Sequence, residues 1–426
     1  MSTTIKRISA LEILASGGYP TVEAEVELSS GLVARASVPY GASAGSHEAT
    51  VLTDGGDRYL GKGMQSVVQT IENTIAPELV GQNPLDQKSI DQQMLDLDGT
   101  SNKATLGGNA VLAVSVAVAR AAAKEVGQPL YRYLADQFQT GLDLESPDQL
   151  PQPMVVAIEG GKHADNTTDL QEYCLSSTQS VAPSESVRKV LESYHQLKKI
   201  LQKEGLSTNV GNEGAFAPNG IATNEAPFGY LVAAIEQAGY QPGKEIGISI
   251  DAAASEFYAD GLYHLAVENR KLTANELMAY YQTWLEKYPI ATLEDMFHED
   301  DWTAWSEFLP LTKKFNVPLI GDDLTVTNTE RLQRAIDEQA ISAILIKLNQ
   351  IGSVSETIAT CMLAKQHGMM TTTSHRGGGE TNDTAMVDVA VAVGSRFIKV
   401  GPTRGERVSK YNRLLHIESE IKNSVK

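Results

Sequence analysis

The sequence predicts an α/β protein in two parts: an N-terminal α+β domain over residues 1–140, then an α/β barrel over residues 141–426. Three observations predict it. At 426 residues the chain exceeds one ordinary domain and fits two or three. β-Rich runs come first, from Thr4 to about Arg58, and helical spacing follows from Met64 to about Phe138, the order of an α+β unit. After residue 150, short β-rich runs alternate with helical stretches some seven or eight times, which points to a closed barrel rather than an open sheet.

Taken in order, IKRISALEIL, TVEAEVELSS and GLVARASVPY read as a small meander, the last two joined through a Ser-Ser-Gly turn. Apolar spacing then turns helical in SVVQTIENTIAPELVG, SIDQQMLDLDG and the Ala-rich NAVLAVSVAVARAAAKEVG. The polar, proline-bearing TGLDLESPDQLPQPM is a linker. Beyond it the strand candidates are PMVVAIEG, LQEYCLSST, NVGNEG, EIGISIDAAA, IATLEDM, VPLIGDD, AILIKLN, MMTTTSH and RFIKVG. Helix candidates separate them, among them SVRKVLESYHQLKKILQKEG, ANELMAYYQTWLEKYP and VSETIATCMLAKQHG.

Composition excludes several classes of function. A formal charge of −18 disfavours an extended grip on nucleic acid or anionic lipid, although a bound metal lets an acidic protein hold an anion locally. Cys174 and Cys361 show no metal-ligand spacing, and a reducing, cytoplasmic setting is expected. The N-terminus lacks the apolar run of a signal peptide, and Val111–Ala119 is too short to span a bilayer, so no membrane association is expected.

Polar residues recur at or near the C-terminal ends of the candidate strands: Glu172, Glu213, Asp251, Glu294, Asp322, Lys347, His375 and Lys399. The later ones are spaced by about one βα unit, which would bring them together at one mouth of a barrel. Asp251, Glu294 and Asp322 are tolerable as a buried trio if a cation sits among them, and an all-oxygen set favours Mg²⁺ over Zn²⁺. The alternative is that each caps the following helix. Lys347 and Lys399 lie in apolar runs, either facing solvent or placed inside the mouth, where nearby charge would lower one pKa toward a neutral base while the other holds an anion. Glu172 and Glu213 are candidate proton donors for a departing hydroxide, or else solvated surface acids. Three glycine-rich segments, YGASAGSHE, EGGKHADN and SHRGGGETND, would approach a ligand closely, and none fits a nucleotide-binding pattern.

With those residues in place the sequence resembles the enolase family from about Lys6 to Glu420, through PTVEAEV, GASAGSHEA, LGGNA, GGKHADN, DLQEY, NEGAFAPN, DAAASEFY, LEDMFHEDDW, GDDLTVTN, ILIKLNQIGS and SHRGGGETND. The resemblance implies an atypical, enolase-type barrel whose first units are not all parallel, and reversible dehydration of 2-phosphoglycerate to phosphoenolpyruvate. It implies Asp251, Glu294 and Asp322 as ligands of a first Mg²⁺ and Ser43 as a contact to a second, bound with substrate. Lys347 would be the base at C2, Glu213 the acid and Glu172 its assistant. Lys399, His163, Gln171, His375, Arg376 and Gly377 would contact a small phosphorylated acid. A homodimer or homo-octamer is expected.

The chain departs from the usual DSRGNPT and SHRSGE phrases, with Ala15, Gly17 and Tyr19 in ASGGYPT, Gly377 in place of serine, and a GGG run one residue longer. Tyr40, Ala44 and Asn212 are further differences. Weaker substrate binding is therefore expected, with recovery in a Gly377→Ser, Gly17→Arg variant. Two other readings are a divergent paralogue acting weakly or on another carboxylate, and a surface-binding protein of the same fold that uses Lys426.

Overall fold

The computed structural model describes residues 3–41, 45–141, 143, 146–165 and 167–424. Three antiparallel strands open the chain: β1 (Ile5–Leu14), β2 (Pro20–Leu28) and β3 (Val33–Ser37). Alternation in β2 sets the register, because Val22, Ala24, Val26 and Leu28 all point to one buried face. Helical residues 65–79 pack on β1; of α1 (Gln87–Asp98), α2 (Gly108–Glu125) and α3 (Leu130–Phe138), α2 lies on β2 and β3, and α1 and α3 pack on α2. In α2 the run Val111–Ala119 is buried, and the small alanines let the helix lie close on β2 and β3. Among the described residues, no helix is long and apolar enough to cross a membrane.

Eight strands then close a barrel: β4 (Gln152–Glu159), β5 (Glu172–Ser177), β6 (Ile246–Asp251), β7 (Ile290–Glu294), β8 (Leu319–Gly321), β9 (Ala343–Ile346), β10 (Met370–Ser374) and β11 (Phe397–Val400). The ring runs β7-β8-β9-β10-β11-β4-β5-β6, closed by pairing of Glu294 with Asp251. Its outer layer is built from α4 (Pro183–Lys203), α5 (Ala226–Gln237), α6 (Ala274–Lys287), α7 (Trp302–Lys314), α8 (Thr329–Asp337), α9 (Val354–Gln366), α10 (Ala385–Val393) and α11 (Gly405–Ser424). Every barrel pairing is parallel except those of β5, which runs opposite to both β4 and β6. The expected non-parallel start of the barrel is thus present.

Two details differ from the sequence reading. Glu172 opens β5 rather than ending a strand, and it reaches the mouth because the strand is reversed. NVGNEG is not a strand but a loop between α4 and α5, held by single bridges of Phe216 to Ile158 and Val210. Gly211 and Gly214 bound a turn that a strand could not make, Gly214 sitting at φ +85°.

The domains meet beside the barrel mouth. Gly378 and Gly379 pair with Gly41 and Tyr40, and the Ser16 N–H donates to the Glu380 carbonyl at 2.8 Å. Arg120 binds Asp383 through two guanidinium nitrogens, at 2.5 and 2.7 Å, and the Ser37 N–H donates to the same carboxylate at 3.1 Å.

Candidate active site

At the mouth four acids occupy neighbouring register positions on successive strands: Glu159 opposite Glu172, Glu172 opposite Asp251, and Asp251 beside Glu294. Like charges in such a row repel, and Lys399 answers them. Reaching in from β11 and 1% exposed, its Nζ lies 2.7 Å from Glu294, 2.9 Å from Asp251 and 2.9 Å from Glu172. Burial alone would lower its pKa, but the three carboxylates hold it well above the usual lysine value. Glu294 is itself pushed well above the carboxylate range by burial and then by Asp251. A solvent-facing Lys399 is therefore excluded.

Lys347, just past the end of β9, forms an ion pair with Asp322, whose other oxygen accepts from Gln350 Nε2 at 2.7 Å. The sequence reading expected burial and nearby charge to lower the pKa of one of the two lysines, and the resemblance made Lys347 the base. Burial does act that way, but Asp322 outweighs it and the ammonium is held above its ordinary value. Asp322, Asp295 and Asp323 offer oxygens within 4.8 Å of one another. Asp295 grips this turn by accepting the N–H groups of Asp322 at 2.9 Å and Asp323 at 2.8 Å. Burial and mutual repulsion push Asp295 and Asp323 well above the carboxylate range. Such a hard, all-oxygen set could hold a divalent cation, but it shares only Asp322 with the expected trio, because Asp251 and Glu294 pair with Lys399. Helix capping does not explain the acids, because Thr273, Asp301 and Asn328 cap α6, α7 and α8.

Facing the lysines is a mixed cluster. His163 Nδ1 lies 3.3 Å from Glu172 and 3.5 Å from Glu213, and His375 Nε2 lies 3.2 Å from the other Glu213 oxygen. Burial lowers and the Glu213 carboxylate raises the His163 pKa, leaving it at about 9. Burial raises that of Glu213, but His375 and His163 overcome it and hold the carboxyl well below its usual range. Glu172 ends lowered as well, because Lys399 and His163 outweigh burial and the Glu213 charge. Gln171 is buried with its Oε1 unpartnered, an acceptor aimed into the cavity these residues line.

Arg376 is buried beside the same cavity and pairs with Glu48 at 2.9 Å. Gly377 follows, and a Cβ there would fall 2.6 Å from Glu213 Oε1 and 2.7 Å from His163 Nε2. At Gly17 a Cβ would meet the Gly378 carbonyl oxygen at 2.8 Å, and at Gly379 the Tyr40 carbonyl oxygen at 2.1 Å. Gly17 and Gly379 lie against backbone, whereas at Gly377 the near atoms are the side-chain tips of Glu213 and His163; this crowding argues against the recovery expected for Gly377→Ser, Gly17→Arg. Gly377→Ser alone should instead lower turnover about ten- to a hundredfold by displacing Glu213 or His163, as steady-state kinetics would show. An unchanged or lower KM at full kcat would mean that the loop yields. Ser43 and Lys426 lie outside the described residues.

The structure therefore gathers Gln171, Glu172, Glu213, Asp251, Asp322, Lys347, His375, Arg376, Gly377, Lys399 and His163 around one cavity, with Glu294 behind Lys399. Sequence reading missed Asp295 and Asp323, although each is the immediate neighbour of an acid it chose. It also missed Glu159, Gln350 and Glu48, whose roles depend on contacts between distant segments.

A closed α/β barrel whose mouth pairs acids able to hold a hard cation with one buried and one half-buried lysine defines a metal-competent barrel enzyme. Residues 5–134 match the family model "Enolase, N-terminal domain", and residues 147–426 match "Enolase, C-terminal TIM barrel domain". The chain belongs to the enolase family, and its domains are those of a lyase-type enzyme.

Proposed function

We propose that the protein catalyses the Mg²⁺-dependent, reversible dehydration of 2-phosphoglycerate to phosphoenolpyruvate. The observation that carries the reading is the division of one cavity between Lys347, seated at the acids, and Glu213, seated between two imidazoles. Lys347 would take the C2 proton at Nζ once its ion pair with Asp322 is broken and the ammonium has released a proton to solvent. Glu213, held here as a carboxylate, would first take up a proton, which His163, protonated up to about pH 9 and 3.5 Å away, can supply, and would then give it to the departing hydroxide. Lys399 and Arg376 would hold the substrate's carboxylate and phosphate, and Gln171 a further oxygen. Removing a proton beside a carboxylate builds a second negative charge, so fixed cations are needed there. Mg²⁺ held by Asp251, Glu294 and Asp322, with Asp295 and Asp323 close by, would supply fixed positive charge for that carboxylate.

Chelation is expected to abolish phosphoenolpyruvate formation and Mg²⁺ to restore it; full activity in excess chelator would overturn the metal reading. A homodimer or homo-octamer, a cytoplasmic setting and a domain boundary at 140/141 belong to the same proposal. Two observations favour a second reading, a paralogue acting weakly or on another carboxylate: Arg376 is already paired with Glu48, and Gly377 offers no hydroxyl to a phosphate. Turnover of 2-phosphoglycerate at an ordinary enolase rate would dismiss it.

A further inference from the structure

We propose that Glu159 is a positioning residue for Glu213, its buried carboxyl group holding the loop that carries Glu213 by accepting the backbone N–H groups of Glu213 and Ala215. The proposal rests on Glu213 being the proton donor, as argued above. Glu159 ends β4 and is 0% exposed. Its two oxygens lie 3.1 and 3.0 Å from the Glu213 nitrogen, and Oε1 lies 2.6 Å from that of Ala215.

Glu213 belongs to a helix-to-helix loop, so no strand ladder fixes it. Over residues 211–217 the other side-chain anchors take carbonyl groups: Tyr194 and Thr403 donate to Gly214 at 3.2 and 2.7 Å, and Arg404 donates to Gly211 at 2.8 Å. Only an acceptor can satisfy the two amides, and the two oxygens of the Glu159 carboxyl group reach both of them. The wrap depends on Gly211, where a Cβ would fall 2.5 Å from Glu159 Oε2. The same carboxyl lies on the strand paired with Glu172, so one residue sets the height of Glu213 against the floor of the cavity.

The test uses the full chain and four variants: Glu159→Leu, Glu159→Gln, Glu159→Asp and Glu213→Gln. Without substrate, amide deuterium uptake over residues 211–217 should quicken about tenfold or more in Glu159→Leu, and return toward wild type in Glu159→Gln, which keeps a carbonyl acceptor. With Mg²⁺ and 2-phosphoglycerate, Glu159→Leu should lose about ten- to a hundredfold in dehydration while solvent exchange of the C2 hydrogen stays within about threefold. Unchanged uptake, an equal loss of both partial reactions, or a glutamine variant no better than leucine would overturn the proposal. If the leucine variant does not fold, Glu159→Asp decides: lowered dehydration with retained exchange supports it, and a parallel fall overturns it. A Glu213→Gln variant that dehydrates normally would instead overturn the proton-donor reading, leaving deuterium uptake to judge the hold of Glu159.

Discussion

Glu213→Gln should keep exchanging the substrate's C2 hydrogen with solvent while losing about 10²–10⁴-fold in dehydration, the usual weight of a general acid. Lys347→Ala should lose both, because no proton leaves C2 without its base. The asymmetry follows from the site: Lys347 is seated among the acids, and Glu213 is seated between His163 and His375. Exchange followed by mass spectrometry and product formation followed by absorbance would read the two steps separately. Wild-type exchange in Lys347→Ala would move the base assignment to Lys399.

Lys399→Met should be the most destabilising substitution at the mouth, because it leaves Glu172, Asp251 and Glu294 buried together without their cation. Breaking such a pair costs about 3–5 kcal/mol. The pH dependence has a definite sign. A carboxyl whose folded pKa is raised, as that of Glu294 already is, releases its proton less readily when folded than when unfolded, so stability falls as pH climbs from the unfolded toward the folded value. Without Lys399 this effect grows, and the deficit in Tm, measured in chelator, should be larger at pH 8 than at pH 5. A deficit that does not change with pH would show that Lys399 acts through packing alone. Added Mg²⁺ should not restore turnover.

Much of this was legible in the sequence, and the exceptions share a cause. Parallel strands deliver polar ends to one mouth at a regular interval, so Asp251, Glu294, Asp322, Lys347, His375 and Lys399 could be read from spacing. Where the chain leaves that rule, spacing fails. Glu172 was placed at the wrong end of its strand, because the direction of β5 is set by pairing with β4 and β6 and not by its own composition. Glu213 read as a strand end, whereas its loop is defined by Gly211, Gly214 and the carboxyl group of Glu159, more than 50 residues earlier. The glycines at 17 and 377 read as lost contacts, yet each sits where a Cβ would strike its neighbours. A sequence shows that a side chain is missing but not what has moved into its space.

The seam between the domains has a thermodynamic consequence. Among the barrel residues that meet the N-terminal domain, Gly378 to Asp383 follow directly on His375, Arg376 and Gly377 at the cavity. Arg376 also takes its partner, Glu48, from the N-terminal segment. A ligand gripped by Arg376 therefore rests on atoms whose places depend on both domains being docked. Affinity and docking become linked functions: whatever tightens one must by reciprocity tighten the other. A substitution far from the cavity that loosens the seam would then register as a weaker ligand, and saturating ligand would conceal the fault.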